Sequence, residues 1–128
     1  MRSGRNRRLL GQSILIVEDE ALIALDLHET LDEAGASLLA ATTLGEALDM
    51  LTYSRVTAAM LDMNLGGPDC SSMCTELNRR SIPFLFYTAQ PKAEIVRAWP
   101  NAPVVLKPEP PEKRIVLLLD ELLAKASC

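Results

Sequence analysis

Five short apolar runs, SILIV, LLAA, AAML, FLFY and VVL, are separated by longer stretches in which apolar residues recur at helical spacing. Strand-sized and helix-sized segments in strict alternation mark βαβ units, and so an α/β fold built on a parallel sheet. Four of the runs stop on residues that can do chemistry: Glu18 and Asp19 after the first, Asp62 after the third, Thr88 after the fourth and Lys107 after the fifth. Parallel strands point one way, so all these side chains emerge at the same carboxyl edge, where open α/β sheets hold their ligands. Residues scattered over some ninety positions of chain become one pocket.

The pattern predicts strands over 13–17, 38–41, 58–61, 84–87 and 104–106. Helices are expected over 20–34, 45–53, 69–80, 92–99 and 112–126. The first presents Leu22, Leu25 and Leu31 as its apolar face and stops at Gly35. Thr43 is placed to cap the second. Gly66, Gly67 and Pro68 mark a loop beyond Asp62, and Pro91 and Pro100 bracket a short fourth helix. The third and fourth strands are continuously apolar, as suits strands covered on both faces.

Composition narrows the function. A chain of 128 residues with 48% hydrophobic content fills one domain of ordinary size, over 12–128, and leaves no room for a DNA-binding or other effector domain. Residues 1–11 carry Arg2, Arg5, Arg7 and Arg8 without an acid and read as a flexible basic arm. The body that follows sets nine lysines and arginines against 17 acids, a balance that disfavours nucleic acid as a partner. No apolar run approaches the ~20 residues needed to span a bilayer, and no secretory signal precedes the domain. Together with three cysteines, Cys70, Cys74 and Cys128, this points to a cytoplasmic protein with reduced thiols. Cys70 and Cys74 lie one helical turn apart, but only His28 could assist them, from another helix, so they read as core thiols rather than metal ligands.

The gathered residues suit phosphoryl transfer. Carboxylates brought together repel one another and gain from a cation, and an all-oxygen set favours Mg²⁺ or Mn²⁺ over zinc. A neutralised carboxylate can attack phosphorus and become an acyl phosphate. Asp62, from the central strand, is the expected nucleophile. Negative charge that spreads over the equatorial oxygens during transfer needs fixed positive or donor groups, which Lys107 and Thr88 supply.

The segments ILIVEDE, AMLDMNL, FLFYTAQ and VVLKPEP, in this order and spacing, resemble the four signature segments of the response-regulator receiver domain of bacterial two-component signalling. The resemblance extends over about residues 12–126 and is similar to the short stand-alone type. It implies a flavodoxin-like (βα)5 fold, with a five-stranded parallel sheet in the order 2-1-3-4-5 and helices on both faces. It implies that Asp62 accepts a phosphoryl group from a sensor histidine kinase or phosphotransfer protein. Asp19 and Asp62 would ligate the metal directly, Glu18 through water, and Asn64 through its backbone carbonyl. Thr88 would be the switch hydroxyl and Lys107 the phosphate contact. Such a protein is a signalling module, not an enzyme on outside substrates. It assists only its own phosphorylation and dephosphorylation, signals to a downstream protein, and exists as a monomer or weak homodimer. The chain departs from the family at Ala89 and Gln90, where Gly and Tyr commonly follow the switch Thr. It departs again at Val104, where many members carry an aromatic residue that moves with the hydroxyl; Tyr87 and Trp99 are the nearby substitutes. These departures motivate one alternative, a degenerate receiver that docks partners without regard to phosphate. A small metal-dependent phosphatase is a further alternative, for which the chain offers no substrate-binding cap.

Overall fold

The structure is a computed structural model that describes residues 7–65 and 70–126. Ten elements alternate along it: β1 (Ser13–Val17), α1 (Ala21–Glu33), β2 (Ser37–Ala41), α2 (Leu44–Tyr53), β3 (Ala58–Leu61), α3 (Ser71–Arg79), β4 (Phe84–Thr88), α4 (Ala93–Ala98), β5 (Val104–Leu106) and α5 (Pro111–Ala126). The strands form one parallel sheet in the order β2-β1-β3-β4-β5. This is the flavodoxin-like arrangement expected from the alternation and the resemblance. The turn at Gly66, Gly67 and Pro68 and the terminal Cys128 lie outside the described residues.

Side chains alternate across the pleat, and each strand therefore feeds two cores. Leu15, Val17, Ala59, Leu61, Phe84 and Phe86 face the α2, α3 and α4 side, where Leu51, Met73, Leu77 and Ile95 meet them. Ile14, Ile16, Ala58, Met60, Leu85, Tyr87 and Val105 face the α1 and α5 side, against Leu27, Leu31, Ile115 and Leu119. Burial on both faces is why β3 is apolar throughout and why β1 and β4 are apolar apart from Ser13 and Thr88 at their ends. Cys70 and Cys74 sit in the first core as buried thiols, while His28 is exposed on α1.

Two expectations need correction. Leu22 and Leu25 do not share a face with Leu31. Nine residues are two and a half helical turns, so Leu22 points away from Leu31. Leu22 is 81% exposed and Leu25 55%, and the buried stripe is Leu27, Leu31 and Ala34. Residues 1–6 of the basic arm expected over 1–11 lie outside the described residues, but within 7–11 the chain is packed at Leu9. Leu9 is fully buried against α1 and α5, its N–H donates to Ala34 O at 2.9 Å, and Arg8 pairs with Asp120 at 3.3 Å. The local driving force is burial of one leucine under the turn that closes α1. That turn needs Gly35, at φ 96°, because a Cβ there would stand 3.1 Å from the Leu10 backbone.

The second helix starts where Thr43 predicts. The Thr43 hydroxyl accepts from Glu46 N, which satisfies one of the free donors of the helix start, and the Glu46 carboxylate reaches back to accept from Thr42 N at 2.8 Å, ahead of the cap. The α4 helix is only six residues long between its flanking prolines.

Candidate functional site

All strand-terminal polar residues come together at the carboxyl edge. β1 ends at Val17, and Glu18 follows, held by its N–H on Ala41 O and buried to 3% exposure. β3 ends at Leu61, and Asp62 follows with its N–H on Val17 O, 4% exposed. Thr88 closes β4, fully buried, and its carbonyl receives the N–H of Lys107 from the end of β5. The Lys107–Pro108 peptide is cis.

Asp62 is the hub. Its Oδ1 accepts the Thr88 hydroxyl at 2.8 Å and the Asn64 backbone N–H at 2.9 Å. Its Oδ2 accepts the Lys107 ammonium at 2.7 Å. The same ammonium lies 2.7 Å from Glu18 Oε1 and 3.4 Å from Glu20 Oε1. Burial alone would lower the Lys107 pKa, but hydrogen bonds first to Asp62 and then to Glu18 outweigh it and raise the pKa. The amine stays charged. Burial pushes the Glu18 carboxyl up from its ordinary value, and the bond to Lys107 opposes the rise.

Carboxylate oxygens of Glu18, Asp19, Glu20 and Asp62 all lie within 4.8 Å of one another. Among the described residues this cluster of four acids has one ammonium, Lys107, which pairs with three of them and leaves an excess of negative charge at a partly dry edge. Oxygen-only donors at this spacing fit a hard divalent cation, and the cluster can hold one. Glu20 was not among the residues expected here. It follows the predicted pair directly, and only the turn into α1, where Glu20 N donates to Glu18 Oε2 at 3.2 Å, brings its carboxylate back to the cluster.

Asn64 supplies more than its main chain. Its Nδ2 donates to Thr88 Oγ1 and to Gln90 O, both at 2.9 Å, and so ties the β3–α3 loop to the β4–α4 loop. No strand-end rule signals such a bond. Of the two aromatic substitutes for Val104, Trp99 is excluded by position: it packs edge-on against Phe84, at the far end of β4 from Thr88. Tyr87 is near the site but anchored, its hydroxyl donating to Glu109 O at 2.6 Å. A groove of about 420 Å³ lined by Phe84, Trp99 and Leu122 opens near the start of β4 and contains none of the strand-end acids, Thr88 or Lys107.

Comparison with known proteins agrees with the fold. The sequence model of the response regulator receiver domain matches residues 14–113. No curated protein matches the chain. Among solved structures, a CheY-like response regulator receiver domain protein from Methanospirillum hungatei JF-1 superposes with a TM-score of 0.81 at 21% identity, over 91% of this chain and 96% of that one. A response regulator receiver protein from Sinorhizobium medicae WSM419 gives 0.81 at 21%, over 90% and 96%. A two-component response regulator from Clostridium difficile gives 0.80 at 19%, over 91% and 99%. At these identities the likeness is one of fold. Among the described residues no helix is long and apolar enough to cross a membrane.

Proposed function

Since this chain belongs to the response regulator receiver domain family, we propose that it accepts a phosphoryl group on Asp62 from a histidine kinase or phosphotransfer protein, with Mg²⁺ bound, and signals by altered affinity for a downstream partner. The observation that carries this reading is the environment of one carboxylate: Asp62 touches both the Lys107 ammonium and the Thr88 hydroxyl while standing among three further acids.

An Asp62 carboxylate oxygen attacks phosphorus, and the bond from phosphorus to the donor's imidazole nitrogen breaks, its electron pair staying with the imidazole. Lys107 and the hydroxyl of Thr88 neutralise the equatorial oxygens, and the Asn64 N–H is placed to do the same. A divalent cation held by Glu18, Asp19, Asp62 and the Asn64 carbonyl would supply the counter-charge that lets an anionic carboxylate meet an anionic phosphoryl group. The acyl phosphate carries about −2 where the free carboxylate carried −1, and the added charge lies on three new acceptor oxygens, enough to draw Thr88 and Lys107 off their present partners and shift the loops that carry them. The reading of a docking module indifferent to phosphate is disfavoured, because each of these side chains already lies within bonding distance of Asp62 or of a neighbouring acid.

Incubation with Mg²⁺ and acetyl phosphate, followed by intact mass measurement, is expected to show one added phosphoryl group. Asp62→Asn should abolish it. Wild-type protein that stays unmodified, or an adduct that persists in the variant, would overturn the assignment.

A further inference from the structure

Among the described residues Lys107 is the one cation at a site of four carboxylates, and it stands on a flexible four-carbon stem after a three-residue edge strand. Something must hold that stem and its loop in place. Tyr87 is the residue in position to do so. It is 4% exposed, on the α1 and α5 side of β4, and opposite Val105 in register. Its ring lies under the Lys107 ammonium, 5.8 Å from centroid to Nζ, and its hydroxyl reaches past to Glu109 O at 2.6 Å. A phenylalanine would fill the same volume. Only the hydroxyl closes a loop around Lys107, from β4 through the Tyr87 side chain to Glu109, whose own N–H returns to Leu106 O at 3.0 Å. The Glu109 carboxylate is in turn held by Arg114 on α5 at 2.9 Å.

We propose that Tyr87 is a positioning residue for phosphoryl transfer: its ring seats the Lys107 ammonium and its hydroxyl pins the β5–α5 loop that carries it. The inference rests on the reading of Asp62 as phosphoacceptor. It also gives the chain a route from site to surface in place of the aromatic absent at Val104: a shift of Lys107 pulls on the loop anchored by Tyr87 and hence on the start of α5.

The test uses Tyr87→Phe, which keeps the ring and the core. With Mg²⁺ and acetyl phosphate, the saturating rate of adduct formation should fall about three- to tenfold, the ratio one intramolecular hydrogen bond sustains, with the half-saturating acetyl phosphate concentration unchanged. Amide exchange at Glu109 should quicken. In a Lys107→Arg background, where a differently shaped cation no longer depends on the seat, the same Tyr87→Phe change should cost much less. An equal loss in both backgrounds would make the hydroxyl a general structural bond and overturn the proposal, as would an unchanged rate in Tyr87→Phe. Those outcomes leave Asp62 as acceptor. Wild-type protein that takes up no phosphoryl group overturns both readings together.

Discussion

Asp62 Oδ1 has two donors, and one of them, the Thr88 hydroxyl, is itself held by the Asn64 amide. One exposed side chain thus restrains both the hydroxyl and the carbonyl of Gln90 two residues later. Asn64→Ala removes both bonds but leaves the backbone N–H on Asp62. The expected cost in global stability is within about 1 kcal/mol by denaturant titration, because water can replace the partners of an exposed amide. Hydrogen exchange over residues 88–92 should accelerate well beyond that small change, and exchange that stays as slow as in wild type would rule the tether out. The strand-end acids, Thr88 and Lys107 were legible in the sequence because a parallel sheet leaves the residue after each strand little choice of edge. Glu20, the Asn64 amide and the Tyr87 hydroxyl were not, because their partners depend on how loops fold back, and a loop's path is written in no periodicity.

At the scale of elements, the strands and most helix limits could be read from the chain, since apolar runs and caps act over a few neighbouring residues. The inward face of α1 could not be read by counting leucines, because this helix carries apolar residues on two sides. Leu31→Ala should lower stability by about 2–5 kcal/mol, with Leu31 fully buried, whereas Leu22→Ala should stay within about 0.5 kcal/mol. Urea melts of the two variants decide this, and similar losses would refute the assigned face. The α3 helix carries a pH-dependent contact. Hydrogen bonds from Arg79 and then Arg80 hold the Glu76 carboxyl down at about 2, and Arg80 also donates to Leu51 O in the last turn of α2 at 2.8 Å. A depressed acid stabilises the fold above its ordinary value of 4.5 and loses that contribution as pH falls toward 2. Glu76→Gln should therefore flatten the decline of denaturation midpoint with acid between these limits. A decline as steep as in wild type would count against the pairing.

For the whole molecule, the decisive fact is charge collected at one sheet edge. The formal net charge is −4, and four of the 17 acids bring carboxylate oxygens within 4.8 Å of one another, with Lys107 the one ammonium beside them among the described residues. Lys107 answers part of that repulsion, and a divalent cation should answer more. A ligand that binds only the folded state adds RT ln(1 + [L]/Kd), which at a hundred times Kd is about 2.7 kcal/mol. Mg²⁺ should therefore raise the midpoint of thermal unfolding of the wild-type protein in a saturable way that Na⁺ of equal ionic strength does not reproduce. Asp19→Asn removes one carboxylate of the cluster and should shift the titration to higher Mg²⁺. Lys107→Met removes the competing positive charge and should shift it to lower Mg²⁺, from a less stable starting point, because loss of one partner of a buried ion pair costs about 3–5 kcal/mol. These opposite displacements distinguish a specific cation site from general screening, which would move all three proteins alike. Identical Mg²⁺ midpoints in wild type, Asp19→Asn and Lys107→Met would mean that the acids at this edge do not act as one site.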